Sequence, residues 1–309
     1  MKIRIKSLVW RSCSTAGISD GLIAGEQFGI GVDCVEQGIA TMNCAASARV
    51  HPTALISEEA IIGENVVIGP YVVIEGPVVI GDNCNIRAHA ILKGPLEMGP
   101  GNQVYSGAVL GEDPQHIKYQ GEPTKVIIGR DNIFREHVTI HRGTTASWKT
   151  VLGDNNFLMA YSHIAHDCVI GNRCILANGA QVGGHCEVSD NVFLSGNSCL
   201  HQFVRVGRFA LLSGCSASTK DMPPFMVQQG INIVHGVNLV GMRRAGIPPA
   251  SIDAIRKCYH HLYREGSSIP VSCGKMESTL GHIPEVRELV EFIRVGNRGI
   301  SLTTERAAA

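Results

Sequence analysis

Histidine and aspartate dominate the chemistry this sequence offers. His163, His166 and Asp167 fall within five residues, His185 follows, and His141 and His201 flank them. Imidazole titrates near neutral pH, which suits it to take a proton from a weak nucleophile. It is also a common zinc ligand. Polar side chains repeated on an apolar scaffold have a third use, as ladders that hold subunits together. Residue types alone leave these three uses open.

The elements that must position these residues are short and regular. Around the histidines, aliphatic side chains fall at Ile164, Ile170, Leu176 and Val182, one every six positions. Six fits neither the α-helical period of 3.6 nor the strand period of 2. It marks a parallel β-helix, in which each unit buries its apolar face only by stacking on its neighbours. The series begins at Val50 and runs to Leu110, lapses over 112–125, resumes at Ile128, lapses again over 145–151, and continues from Leu152 to Leu212. Two loops therefore leave the scaffold, and loops on a rigid scaffold are where binding residues gather. Glycine often follows the aliphatic (Gly63, Gly69, Gly81, Gly99, Gly111), as a corner with unusual φ would require.

Composition agrees with a narrow solenoid: 5% aromatics and 35 glycines among 309 residues. Net charge is zero with histidine neutral, so there is no basic footprint for nucleic acid. No apolar run reaches the roughly 18 residues of a membrane span. The eleven cysteines include no CxxC pair. Cys84, Cys168, Cys174 and Cys186 share the fifth hexad position with Ala60, Val66, Ala180 and Ser198, so they read as small core residues in a reducing compartment.

The ends differ from the middle. Residues 1–49 lack the repeat, and the first nineteen carry Lys2, Arg4, Lys6 and Arg11 with no acid. They resemble an organellar transit peptide, read as mitochondrial in preference to plastid, or else a flexible tail. The β-helix is expected over 50–221. Past Met222, apolar residues three and four apart over 248–266 and 284–295, with prolines near the starts, predict helices in a domain spanning 222–302, before a tail of 303–309.

The hexads resemble left-handed β-helix proteins, whose prism has three faces and eighteen residues per turn. That likeness, rather than the period, implies that residues eighteen apart stack at roughly 4.8 Å. His166, Gly184 and Gln202 then share one column, Gly183 and His201 the next, and His141 joins the second if six residues near Ser147 are extruded. His163 is expected at the adjoining corner. Several histidines on one wall of an aliphatic prism favour function over a structural role. The zinc carbonic anhydrases of this architecture space their histidines differently from His163-x-x-His166, and no metal or other cofactor is expected.

Over 51–302 the chain is similar to the acyl-carrier-protein–UDP-N-acetylglucosamine O-acyltransferases, which catalyse the first step of lipid A synthesis. The likeness lies in His163-Ile-Ala-His166-Asp167, Gln115-x-x-Lys118-Tyr-x-Gly-Glu-Pro-Thr124, Ile140-His-Arg-Gly-Thr144, His201-Gln-Phe, Gly214-Cys-Ser and Gly236-Val-Asn238. The resemblance implies a homotrimer of left-handed β-helices that moves an (R)-3-hydroxyacyl group from acyl carrier protein to the glucosamine 3-hydroxyl of UDP-N-acetylglucosamine. It assigns the general base to His166, its orienting partner to Asp167, and an oxyanion-binding N–H to Gly184, whose missing side chain would admit the thioester. It gives donor or nucleotide contacts to His163, His185 and His201, sugar and acyl contacts to Gln115 and Lys118, and nucleotide or phosphate contacts to His141 and Arg244. Gln202 and Asn238 also carry over as substrate contacts.

Gly214 matches the position that measures acyl length. With Gly196 one coil below, it implies a chain of about fourteen carbons rather than ten. Two residues depart from the family pattern. His116 stands where an acid is frequent, and Val240 where a glutamate is common. The alternatives are a sibling glucosamine N-acyltransferase, which usually carries an additional domain before the helix, a non-catalytic trimeric scaffold, or a zinc hydratase.

Overall fold

A computed structural model of the chain describes residues 32–33 and 43–303. The leader expected over 1–49 lies mostly outside the described residues, as does 304–309. The described residues form a three-faced parallel β-solenoid followed by helices.

The period of six has a direct cause in the register. Ile164 pairs with Val182 and Val182 with Leu200, so eighteen residues complete a coil. The first face carries His163–Ile164, the second Val169–Ile170 and the third Ile175–Leu176. The second residue of most of these two-residue strands points inward. Ile86, Leu110, Ile140, Leu158, Ile164, Leu176 and Leu194 are wholly buried. Each such side chain contributes about 1.5–3 kcal/mol on burial. Cys84, Cys168, Cys174 and Cys186 fill the narrow corners of the core and form no disulfides. One corner also encloses a ladder of buried asparagines. Asn132 donates through its backbone N–H and side chain to Asn102 Oδ1, and Asn156 does the same to Asn132 Oδ1, all at 2.8–3.0 Å.

The glycine reading needs correction. Gly63, Gly69, Gly81 and Gly99 do not have positive φ, whereas Gly111 does. The left-handed position lies three residues after the aliphatic and is held by Asn65, Tyr71, Asn83, Asp167 and His185 among others. Glycine beside the aliphatic instead permits close stacking of coils. A Cβ at Gly63 would lie 2.5 Å from Asp82 Oδ1 and 2.8 Å from its backbone nitrogen.

Two excursions interrupt the winding. Leu110 pairs with Ile140, twelve residues beyond an ordinary coil, and Ile140 pairs with Ile164, six beyond. The first excursion occupies 113–124, because Glu112 and Lys125 are strand residues. The second occupies 142–148 rather than 145–151. Lys149–Leu152 is a full strand paired with Lys125–Ile128. Thr150, wholly buried where an apolar residue is expected, disguises that strand.

The boundaries also differ from the expected 50–221. Asn43–Cys44 stacks on Ile61–Ile62, with Cys44 in an aliphatic slot, and Val32–Asp33 pairs antiparallel with Arg49–Val50. At the other end Met226–Gln228 continues the third face above Leu211–Leu212 and turns back through Val234–Val237. Leu212 and Gln228 are sixteen rather than eighteen apart, which hides the last coil from a period search.

Four helices follow: α1 (Leu239–Arg244), α2 (Pro249–Tyr263), α3 (Ile269–Leu280) and α4 (Pro284–Val295). Periodicity announces α2 and α4. It misses α1, which is short, and α3, whose buried side includes Ser272 and Cys273. The helices have their own core, formed by Ile255, Cys258, Leu262, Met276, Val286, Leu289 and others. Arg208 grips Glu288 with two nitrogens at 2.6–3.1 Å, tying α4 to the solenoid. No helix among the described residues is long and apolar enough to cross a membrane.

Candidate active site

The corner after the first face carries His166 and Asp167. Asp167 adopts φ 61°, and its carboxylate turns inward beneath the 142–148 excursion. There it accepts hydrogen bonds from Thr144 N at 2.9 Å, Thr144 Oγ1 at 2.8 Å, Ser147 N at 3.2 Å and Ser147 Oγ. His166 Nδ1 lies 2.7 Å from Asp167 Oδ2, and the carboxylate is fully enclosed. Burial alone would raise the Asp167 pKa. The bonds from Ser147, His166 and Thr144 outweigh it and bring the group down to about 2. An ionised acceptor at this place fixes the Nδ1–H tautomer of His166 and leaves Nε2 with a lone pair.

Gly184 sits one coil above. A Cβ there would lie 2.7 Å from Cε1 of His166, so the space vacated by the missing side chain holds the imidazole. That corrects the expectation that the space is kept for a thioester. The Gly184 N–H has no hydrogen-bond partner among the described residues, as befits a donor aimed away from the ladder.

Three further histidines adjoin this pair. His185, at φ 61°, stacks on Phe203 at 4.4 Å and meets His166 edge-on at 5.1 Å, with its Nε2 3.7 Å from Asp167 Oδ2. His163 lies on the strand, not on the corner, and its Nδ1 is 2.7 Å from Thr139 Oγ1. Its ring meets that of His141 at 4.8 Å. Burial pulls the His163 pKa down to about 4, helped by the charge of His141. Burial likewise lowers His141, whose Nδ1 has no hydrogen-bond partner among the described residues, and His185.

Two contributors emerge only in the folded chain. His116, noted in sequence merely as a departure, reaches from the first excursion to within 5.3 Å of the His166 ring. Arg142 is almost fully buried and joins Gly94 O, Asp113 and the Tyr119 hydroxyl, the last at 2.9 Å. It thereby moors the excursion that bears Gln115, His116 and Lys118. Its signal in sequence was its place between His141 and Thr144.

The other expected residues are more scattered. Gln115 and Lys118 are exposed beside His116. His201 and Gln202 lie one coil above Gly183 and Gly184, and both are exposed. His201 has no ring contact with the cluster and faces Arg298 at 3.3 Å. Arg244 is exposed at the end of α1. Asn238 has a structural duty as well. Its Oδ1 caps α1 through Gly241 N at 2.9 Å and its Nδ2 donates to Phe209 O at 2.8 Å, which fixes the orientation of the amide. Gly214 lies at the opposite edge of the first face from His166, with space around it. A Cβ there would meet only Gly196 O, at 3.4 Å.

The arrangement supplies a buried, oriented imidazole, an unpaired backbone donor and a fringe of free polar side chains. It suits proton removal from a hydroxyl. One donor atom each from His166, Asp167 and His185 also lies within 4.8 Å of the others, close enough for a metal ion.

Residues 221–301 match the family model described as UDP-N-acetylglucosamine O-acyltransferase, domain 2, and residues 59–94 and 149–184 match the bacterial transferase hexapeptide model. The acyl-[acyl-carrier-protein]–UDP-N-acetylglucosamine O-acyltransferase of Burkholderia lata is 45% identical over 258 residues, covering 82% of this chain and 98% of that protein. Among solved structures, a UDP-N-acetylglucosamine acyltransferase from Bacteroides fragilis aligns with TM-score 0.79 and 41% identity over 81% of this chain and 99% of that one. The Arabidopsis UDP-N-acetylglucosamine acyltransferase aligns with TM-score 0.72 and 30% identity over 82% and 99%.

Proposed function

The chain belongs to the acyl-[acyl-carrier-protein]–UDP-N-acetylglucosamine O-acyltransferase family, the acyltransferases of lipid A biosynthesis, and on that premise we propose a mechanism in which His166 is the general base. The enzyme transfers an acyl group from acyl carrier protein to UDP-N-acetylglucosamine. Nε2 of His166 removes the proton of the sugar 3-hydroxyl as its oxygen attacks the thioester carbonyl. Negative charge develops on the carbonyl oxygen, where the Gly184 N–H is free to donate. Collapse expels the carrier thiolate, which takes the proton back from the imidazolium. Asp167 keeps Nδ1 protonated and steadies the imidazolium while it exists.

The observation that carries this reading is the 2.7 Å contact between His166 Nδ1 and the enclosed Asp167 carboxylate. Gln115, Lys118, His141, His163, His185, His201, Gln202 and Arg244 are the proposed substrate contacts. The acyl chain is a (R)-3-hydroxyacyl group of about fourteen carbons, lying across the first face between His166 and Gly214. The proposed assembly is a homotrimer, in which a neighbouring copy covers the first face between those two edges. Import into an organelle, the mitochondrion before the plastid, rests on the basic first nineteen residues.

The test incubates the protein with UDP-N-acetylglucosamine and 3-hydroxyacyl carrier proteins of graded length and weighs the product. His166→Ala should lower the rate by about 10²–10⁴-fold. Full activity in that variant rejects His166 as base. Sedimentation gives the oligomeric state, and residues 1–49 fused to a fluorescent protein test the address.

A further inference from the structure

We propose that His166, Asp167 and His185 form a latent site for a divalent transition-metal ion of the zinc type, and that filling it switches the proposed base off. The donor set is two imidazoles and one carboxylate, with one atom from each within 4.8 Å of the others. That is a usual three-ligand complement for zinc with a fourth position left to water. Tetrahedral bonds of about 2.0–2.2 Å place donor atoms roughly 3.4 Å apart. The distances here straddle that value. Asp167 Oδ2 is 2.7 Å from His166 Nδ1 and 3.7 Å from His185 Nε2, so shifts of the two rings would admit the ion.

The surroundings favour a cation. Asp167 is fully enclosed and His166 and His185 are mostly buried, so the three donor atoms face one another more than bulk water. His185 is held by its stack on Phe203, with Nε2 directed at the carboxylate. The other His/carboxylate group, His260, His261 and Glu265, lacks these features. It is largely exposed, and the Lys275 ammonium already sits 2.9 Å from Glu265.

The consequence for catalysis follows from proton bookkeeping and rests on the reading of His166 as base. A metal on Nδ1 takes the place of the proton shared with Asp167. The neutral imidazole then carries its one proton on Nε2. The lone pair that would accept the sugar proton is gone, without any net gain or loss of charge on the ring.

Binding and silencing are measured separately on the full chain. Metal-stripped protein titrated with zinc alone should take up one ion per chain at this site. Cobalt(II) in place of zinc should give the intense visible absorption of a four-coordinate centre. His185→Ala and Asp167→Asn should each weaken binding by at least about tenfold, while His261→Ala should not. Cobalt giving only the faint spectrum of a six-coordinate ion, or zinc affinity that falls only in His261→Ala, overturns the proposal, and the cobalt spectrum of the unaltered chain decides even where a variant fails to fold. Acyl transfer should fall in proportion to zinc occupancy and return on chelation. Full transfer with the site filled overturns the silencing, whereas failure of the base reading itself would appear in metal-free His166→Ala.

Discussion

Gly184 and His166 occupy the same space in successive coils: a Cβ on residue 184 would stand 2.7 Å from Cε1 and 2.9 Å from Nε2 of the imidazole below. No real Cβ contact is that short, so glycine at 184 is a condition for the observed pose of His166. The prediction concerns Gly184→Ala. Its φ lies outside the left-handed region, so the backbone tolerates alanine and the solenoid should fold. The imidazole must give way, and a displacement near 1 Å costs on the order of 10²-fold in rate. The check is a kcat loss of that size with a thermal midpoint close to that of the unaltered protein. Unchanged kcat would mean that the pose of His166 does not matter.

Asp167 links the same site to acid stability. Its pKa is depressed to about 2 in the folded chain from an ordinary 3.8, despite burial, by bonds from Ser147, His166 and Thr144. A depressed carboxylate contributes stability that is complete above the unfolded value and lost as pH falls through the folded one. The contribution at neutral pH is on the order of 2 kcal/mol. Asp167→Asn should therefore be less stable at pH 7, and the gap should close between about pH 4 and pH 2. Denaturant melts across that range measure it, and a pH-independent gap would refute the ionic origin.

How far these relationships were legible in sequence depends on whether stacking produced them. His166, Gly184 and Gln202 fall in one column because coils of eighteen residues repeat with little slack, and numbering alone then places them. The same logic tolerated inward polar residues such as Asn132 and Asn156 within the unbroken series but failed at its interruptions and ends. Thr150 hid a strand, and Cys44 hid the first coil. Contacts made by the excursions were illegible for a different reason. Arg142, Thr144, Ser147 and His116 reach the site from segments outside the period, where sequence spacing carries no spatial meaning. Asn238 shows the converse, since its place in a matching motif suggested substrate contact and gave no hint that its amide also caps α1 through Gly241 and holds Phe209.

Arg142 should govern the first excursion. Its guanidinium joins Gly94 O, Asp113 and Tyr119 from an almost fully buried position. Lysine keeps the charge but loses the fork that serves three acceptors at once. Arg142→Lys should cost about 1–3 kcal/mol of stability and loosen 113–124, which carries Gln115, His116 and Lys118. Hydrogen exchange should rise in that segment and little elsewhere, with KM for UDP-N-acetylglucosamine rising more than kcat falls. Exchange unaltered over 113–124 would show the mooring to lie elsewhere.

Acyl length gives the remaining prediction. Gly214 is exposed at the far edge of the first face, its φ is ordinary, and a Cβ would make only van der Waals contact with Gly196 O at 3.4 Å. Gly214→Met should therefore fold without strain and project a flexible, apolar side chain across the path proposed for the acyl tail. If the groove ends there, a fourteen-carbon donor loses the burial of about four methylenes at roughly 0.8 kcal/mol each, a total near 3 kcal/mol or on the order of a hundredfold in kcat/KM. A ten-carbon donor stops short of the obstruction and keeps its rate. The ratio of kcat/KM for the two donors should therefore invert, with the reaction at the sugar unchanged. An equal fall for both lengths would place the obstruction near the thioester instead, and would remove Gly214 from the measurement of chain length.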